Sequence, residues 1–238
     1  YSGWQFQTVN PETVQNYIEK VLANIVNHQP FQVIGASRTD TGVHASGQVL
    51  KIILPKEIIP DQLVMGMNSK LPPDIRVVSA EFVDKKFNVN RDTKSKEYHY
   101  YFTDNKSPNA ILSEIICYIP RTLNIELIEK ACELLLGEHD FANFCAESSR
   151  EMNTIRNITY CSIEKASFAP FSSEVYFLNI QAAGFLKYMV RYIMGALIEV
   201  GQEKLSFKDF KNSLTPGTHS HFKKKAPAVG LHLIKINY

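Results

Sequence analysis

Apolar residues in the first part of the chain recur at helical and at strand spacings in turn. Apolar positions three and four residues apart between Val14 and Ile25 predict one face of a helix, with Asn10 placed to cap it and Pro11 suited to its first position. A weaker pattern predicts a second helix, and short apolar runs predict three strands. The helix covers 61–70, and the strands cover 31–34, 48–54 and 75–83. Between the first two strands, 37–46 is polar and predicts a loop.

The rest of the chain repeats this alternation. The patterns predict strands over 97–102, 115–119, 156–165, 174–182 and 231–236, and helices over 125–135, 186–198 and 206–210. With a first strand restored before Tyr1, the order becomes β-α-β-β-α-β twice, which is the ferredoxin-like motif. We therefore predict an α+β fold of two ferredoxin-like halves, 1–95 and 96–238, whose antiparallel sheets join across a central cleft.

The composition fits a packed protein. Hydrophobic residues make up 45% of the 238 residues and charged residues 21%, which excludes a disordered or low-complexity chain. A formal net charge of +2 permits a nucleic-acid partner without requiring one. Lys187, Arg191 and Glu199 interrupt the longest apolar helical segment, so we expect no helix that crosses a membrane.

Cysteine and histidine spacing gives no sign of a metal site. The four cysteines form no C-x-x-C pair, which predicts reduced core thiols in an intracellular protein rather than structural zinc. His219 and His221 lack an evident third ligand. No signal peptide is visible, so we expect a cytoplasmic protein. The chain opens with Tyr1 rather than Met, and we expect residues to precede it.

The polar loop after the first strand carries the most informative chemistry. Asp40 is the only carboxylate between Glu19 and Glu57, and no second carboxylate accompanies it. An ion pair with Arg38 would lower the pKa of Asp40, and an ionised carboxylate can act as a nucleophile or base. A turn aspartate that accepts hydrogen bonds from its own loop is the simpler alternative. The local residues leave both interpretations open.

Several blocks of the sequence, in order over nearly the whole chain, resemble one enzyme family. Residues 38–45 read RTDTGVHA and, after Ser46, are followed by Gly-Gln-Val at 47–49; together they closely resemble the central motif of the TruA family of tRNA pseudouridine synthases. Further matching blocks lie at 1–7, 137–141, 184–191 and 226–231. The resemblance implies the pseudouridine synthase fold, with the catalytic cleft between the two halves.

The resemblance also implies a reaction. Uridine in the anticodon stem-loop of tRNA, at tRNA positions 38–40, would be isomerised to pseudouridine by a homodimer without cofactor or metal. Asp40 would be the nucleophile. The carboxylate could add to C6 of the uracil, or it could assist glycosidic cleavage at C1′ through an acylal or a glycal; the sequence does not choose between these routes.

Other site residues follow from the same family motifs. Arg38 would fill the space left by the flipped uridine and later hold Asp40; a plain loop salt bridge is the alternative. Tyr98 would contact the flipped uracil, by stacking or as the base that removes a proton, while Tyr100, on the same sheet face, is expected in the core.

A second group of expected substrate contacts lies near the end of the chain. Lys187 and Arg191, four residues apart, would share a helix face. That face would be an ordinary solvated one or, as the family motif implies, one in the cleft with Arg191 close to Asp40 or to a phosphate. Leu231 would form an apolar wall beside the base, or belong to the core. Lysines at 223–225 suit an RNA backbone.

An alternative function is an RNA-binding protein of the same fold that has lost catalysis and assists tRNA folding. The presence of Arg38, Asp40 and Tyr98 favours the enzyme.

Overall fold

A computed structural model of the chain describes residues 1–10, 12–104, 109–149, 153–168, 171–217, 222 and 224–238. These residues form two compact units. Unit 1 comprises Tyr1–Gly42 and Gln48–Thr93, and unit 2 comprises Val43–Gly47 and Lys94–Tyr238. Unit 1 ends at Thr93, two residues before the predicted boundary after residue 95, and the short segment Val43–Gly47 belongs to unit 2.

Unit 1 packs two helices with an antiparallel strand pair. Helix α1 (Val14–Ile25) buries Ile18, Val21 and Leu22, and Thr13 rather than Asn10 caps it, because the Thr13 side chain accepts a hydrogen bond from the Asn16 amide. Strands β1 (Gln32–Gly35) and β3 (Leu50–Ile53) pair, and α2 follows at Pro60–Asn68. The core of the unit includes Trp4, Leu22, Leu63 and Met67.

The prediction of a strand over 75–83 is wrong, because the structure assigns no strand to these residues. The backbone of Val77 pairs with a side chain instead of a strand: its amide donates to Oδ1 of Asn68 at 2.9 Å, and Nδ2 of Asn68 donates to its carbonyl at 2.8 Å. The following apolar side chains are exposed, with Val78 85% and Phe82 64% accessible. An apolar run without a neighbouring strand therefore stays irregular.

Unit 2 is built on a seven-stranded sheet. Its strands are β2 (His44–Ala45), β4 (Ser95–Thr103), β5 (Cys117–Tyr118), β6 (Gly137–Asp140), β7 (Ile155–Phe168), β8 (Phe171–Ala182) and β9 (Leu231–Asn237). The order is β2-β9-β4-β8-β7-β6, with β5 beside β4. The β2–β9 and β4–β5 pairs are parallel and the remaining pairs are antiparallel.

Three helices complete unit 2: α3 (Ile125–Glu133), α4 (Met189–Gly201) and α5 (Phe207–Asn212). The series β4-α3-β7-β8-α4-β9 follows the ferredoxin-like order, and the α+β class is confirmed.

Helix α4 begins three residues later than the predicted 186, because Tyr188 adopts φ 64°, outside the helical region. Strand β6 was not predicted; Gly137, at φ +93°, turns the chain into it.

In the described residues, no helix combines the length and apolar character needed to cross a membrane. The same residues contain no group of three or more His, Cys, Asp or Glu side chains that could hold a metal ion. The four cysteines are buried and without disulfides, as predicted. A hydrogen bond between thiols and burial together raise the pKa of Cys132, whose partner is Cys161.

Candidate active site

The loop that carries Asp40 is held by the first residues of the chain. The Trp4 amide donates to the carbonyl of Thr39 at 3.1 Å, and the Gly42 amide donates to the carbonyl of Tyr1 at 3.4 Å. Gly3 adopts φ +91°, and a Cβ there would lie 2.6 Å from the Thr39 carbonyl oxygen. Only glycine fits this approach without strain, so the opening motif of the sequence fixes the backbone on both sides of Asp40.

The base of the same loop is closed by one side chain. Nε2 of Gln48 donates to the carbonyl of Ser37 at 2.6 Å, and the Ser37 amide donates to Oε1 of Gln48 at 3.2 Å. The Ala36 amide donates to the carbonyl of Val49 at 2.9 Å. Asp40, a half-buried residue, thus lies in a loop whose backbone is fixed by hydrogen bonds at both ends.

Arg38 does not form the ion pair expected from its spacing to Asp40. Its side chain is exposed, and the described residues contain no ion pair between the two. An exposed guanidinium stays hydrated and gains little from a surface pair. Arg38 is therefore presented to solvent and is not held in a pair within its own loop.

Tyr98 lies in the middle of β4, on the buried face of the unit 2 sheet. It is 7% exposed, and its ring meets that of Phe185 edge-on at 5.3 Å and 87°. Its cross-strand neighbours are Ile180 of β8 and Leu233 of β9. Strand alternation places Tyr100 on the same face, as predicted, and Tyr100 is fully buried in the core. The Tyr100 hydroxyl donates to the carbonyl of Pro227 at 2.9 Å, and burial raises its pKa.

A bulge in β9 lies beside Tyr98. Glu97 pairs with Lys235 but Tyr98 pairs with Leu233, which leaves Ile234 as the extra residue. A Cβ on Gly47 would overlap the Ile234 carbonyl, and the amides of Ser46 and Gly47 both donate to the Leu233 carbonyl, at 2.9 and 3.3 Å. The glycine that follows the RTDTGVHA motif is therefore needed for packing against the bulge.

Leu231 and Leu233 of β9 each lie opposite a tyrosine of β4. Leu231 is 6% exposed and pairs across from Tyr100, whereas the fully buried Leu233 pairs across from Tyr98. Directly opposed residues on antiparallel strands share a face and touch. The alternation 231, 233 places both leucines on one face, and only the register of β9 against β4 assigns Leu233 to the position opposite Tyr98.

Lys187 and Arg191 do not share a helix face, because Lys187 precedes the start of α4. Both nevertheless lie near one ring: Nζ of Lys187 is 5.2 Å and Cζ of Arg191 is 5.6 Å from the centroid of Tyr188. Nε of Arg191 donates to the carbonyl of Ala226 at 2.9 Å. Of the terminal lysine and histidine cluster, His219, His221 and Lys223 lie outside the described residues.

Comparisons with known proteins agree along the whole chain. A family model described as tRNA pseudouridine synthase matches residues 1–90 and 131–238. The chain is 40% identical over 245 residues to tRNA pseudouridine synthase A 2 of Desulfotalea psychrophila, covering 99% of this chain and 93% of the relative. It is 37% identical to tRNA pseudouridine synthase A of a Thermoanaerobacter species and 33% identical to that of Shouchella clausii. These two matches cover all of this chain and 94% and 88% of the respective relatives.

Proposed function

Because this chain belongs to the tRNA pseudouridine synthase family, it is an isomerase that converts uridine in tRNA to pseudouridine, and we propose that it acts on anticodon stem-loop positions 38–40 with Asp40 as nucleophile. The observation that carries the proposal is the agreement of relatives over at least 99% of the chain, at 33–40% identity. The alternative of an RNA-binding protein without catalysis gains no support from these relatives.

Asp40 has the setting that a nucleophile needs. The reaction breaks the bond between N1 of the uracil and C1′, rotates the uracil, and joins C5 to C1′; the proton lost from C5 is balanced by one gained at N1. The Asp40 carboxylate adds to C6, or it assists cleavage at C1′ through an acylal or a glycal. The backbone hydrogen bonds of Trp4 and Gly42 support any of these routes, because a carboxylate held in place loses little entropy on reaching the reacting atom.

Arg38 acts on the RNA in this proposal. A uridine in a stacked stem has to leave the stack before its glycosidic bond can be reached, and unstacking costs a few kcal/mol. A planar guanidinium can fill the vacated space by stacking and by pairing. The exposure of the Arg38 side chain supports this role, since a side chain committed to an ion pair within its own loop would first have to be released.

Tyr98 contacts the flipped uracil, and its phenol oxygen takes the C5 proton as its own hydroxyl proton passes to solvent, from which N1 of the product is protonated. The edge-on packing against Phe185 supports a fixed ring orientation. Leu231 forms part of the apolar wall near the base. Lys187 and Arg191 contribute positive charge to a phosphate or to the Asp40 carboxylate.

We extend the proposal to a homodimer that works in the cytoplasm, without a metal or an organic cofactor. The isomerisation returns the same atoms to the product and changes no oxidation state, so its chemistry requires neither. Four buried cysteines without disulfides suit a reducing compartment.

The test is a position-resolved map of pseudouridine after incubation with unmodified tRNA transcripts. We expect modification at positions 38–40 that carry uridine, and none in a control transcript with cytidine there. Modification only at other positions would overturn the positional assignment. Binding of tRNA without any pseudouridine would establish the catalysis-free alternative.

A further inference from the structure

Three cationic side chains of unit 2 surround the ring of Tyr188. Nζ of Lys225 lies 3.8 Å from the ring centroid, Nζ of Lys187 lies 5.2 Å away, and Cζ of Arg191 lies 5.6 Å away. In the described part of the chain, neither Lys187 nor Lys225 forms an ion pair with a carboxylate. The ring attracts these cations, but the ammonium groups of Lys187 and Lys225 also repel each other, and no ion pair among the described residues offsets that repulsion.

Backbone contacts hold this cluster of cationic side chains in place. A Cβ on Gly195 would overlap the carbonyl oxygen of Lys224, so the chain at 224–226 lies directly against α4. The Ala226 amide donates to the carbonyl of Arg191 at 2.9 Å, and Nε of Arg191 donates to the Ala226 carbonyl at 2.9 Å. These contacts hold Lys225 over Tyr188, and they make Arg191 a positioning residue for this cluster.

Tyr188 itself occupies an unusual backbone position. It is the N-cap residue of α4 and has φ 64° and ψ 5°, the left-handed region that side chains other than Gly, Asn and Asp rarely adopt. Its side chain makes no capping hydrogen bond. The 13-residue helix directs the positive end of its dipole toward this point, which adds to the charge of the lysines. A strained aromatic residue at this place suggests a function for its ring.

We propose that Lys187 and Lys225, held by the Tyr188 ring, bind a phosphate group of the tRNA backbone. The proposal rests on the proposed function only in taking tRNA as the ligand. An anion relieves the repulsion among the cations, and a phosphate offers oxygens to both ammonium groups. A stacked base is a poorer occupant, because Lys225 already covers the ring at 3.8 Å. Among the lysines at 223–225, the cluster therefore singles out Lys225.

The test is the salt dependence of equilibrium binding between the protein and unmodified tRNA. Lys225→Gln and Lys187→Gln each remove one phosphate contact, so each should lower the magnitude of the slope of log Kobs against log[salt] by roughly 0.7–1 and weaken binding most at low salt. Lys204→Gln is the matched control: it removes the same charge from an exposed lysine just beyond the other end of α4. Circular dichroism melts establish that each variant is folded.

A second pair of variants separates the ring from the charge. Tyr188→Phe keeps the ring and should bind like the wild type, whereas Tyr188→Leu should match Lys225→Gln, with no further loss in the double variant. Slopes equal to that of the wild type in both lysine variants, or an equal drop in Lys204→Gln, would overturn the proposal. The proposed function is tested by a different readout. If the wild type binds tRNA but forms no pseudouridine, the proposed function fails while the phosphate-binding proposal stands.

Discussion

At the scale of single residues, Asp40 and Tyr98 are held by different kinds of contact. Asp40 depends on backbone hydrogen bonds made by residues 1–4 and on the glycine at position 3, which allows the close approach of two backbones. Tyr98 depends on its place in β4, between Ile180 and Leu233, and on Phe185. Substitutions at Asp40 therefore change chemistry with little effect on packing, whereas substitutions at Tyr98 have to be designed to keep the ring.

Tyr98→Phe separates contact with the base from proton transfer. The variant keeps the ring and its edge-on packing but removes the hydroxyl. If the hydroxyl takes the C5 proton, turnover falls by roughly 10²–10⁴-fold, the usual contribution of a general acid–base group. We expect this result in single-turnover kinetics on unmodified tRNA.

Tyr98→Leu, measured beside it, serves as the comparison for loss of the ring. A near-normal rate for Tyr98→Phe together with a large loss for Tyr98→Leu would contradict proton removal by the hydroxyl, because a π-face alone would then be sufficient.

The motif around Asp40 could be recognised from sequence because it is continuous in the chain. The pairing of Tyr98 with Leu233 could not, since a bulge at Ile234 shifts the register by one residue and no local pattern shows it. The same limit applies to Tyr188 and Lys225, which are 37 positions apart in the sequence and meet only because Gly195 admits the segment at 224–226.

At the scale of elements, amphipathic helices and alternating strands were the most predictable. The patterns predicted α1, although with the cap at Asn10 instead of the observed Thr13, and they predicted the start of α5 to within one residue. The prediction failed for 75–83, where an apolar run suggested a strand but Asn68 takes the backbone hydrogen bonds. Hydrophobic spacing cannot reveal whether a neighbouring strand is available.

Strand β2 joins the edge of the unit 2 sheet through a pair of stacked histidines. The rings of His44 and His232 lie 4.6 Å apart at 21°, and Nε2 of His232 donates to the carbonyl of Ile115 at 2.8 Å. The ring of His232 also meets the ring of Tyr101 edge-on, with the centroids 4.9 Å apart. His232 lies opposite His99 of β4, whose ring nitrogen is within 2.8 Å of the Glu97 carboxylate. Burial, with smaller effects of His44 and His99, lowers the pKa of His232 to about 4.

This lowered pKa predicts an acid-sensitive element. The unfolded chain binds a proton at His232 near its ordinary pKa of 6.5, whereas the folded protein does so only near 4. The free energy of unfolding that comes from keeping His232 neutral is therefore fully present above pH 6.5. It is lost as the pH falls through 4, by up to roughly 3 kcal/mol. Urea unfolding between pH 4 and 7 measures it.

The matched variant is His232→Phe, which keeps an aromatic ring but cannot titrate. The wild type should be more stable than His232→Phe at pH 7, because it keeps the hydrogen bond to Ile115. The difference between their free energies of unfolding should become smaller as the pH falls toward 4. A gap that stays constant across this range would show that His232 does not titrate as described.

At the scale of the whole molecule, the small net charge of +2 bears on how the protein meets its RNA. One chain offers little long-range attraction for a polyanion, so the basic surface has to be gathered locally or shared between subunits. A homodimer that places one tRNA across both subunits provides such a shared surface, and we expect this assembly.

Light scattering at micromolar concentration tests the assembly directly. The expected mass of the free protein is twice the 27.0 kDa of the chain, and the complex should add the mass of one tRNA to that dimer. A protein that remains a monomer at this concentration and is fully active on tRNA would contradict the dimer.

The measurement closest to the central claim is single-turnover formation of pseudouridine by Asp40→Asn, with tRNA binding measured on the same preparation. The substitution keeps the shape of the side chain and removes the charge that a nucleophile needs. Turnover should fall by at least roughly 10⁴-fold, a loss typical of removing a nucleophile or its essential partner. Binding should persist, because many phosphate contacts carry it. Pseudouridine formation at the wild-type rate by Asp40→Asn would contradict the assignment of Asp40 as nucleophile.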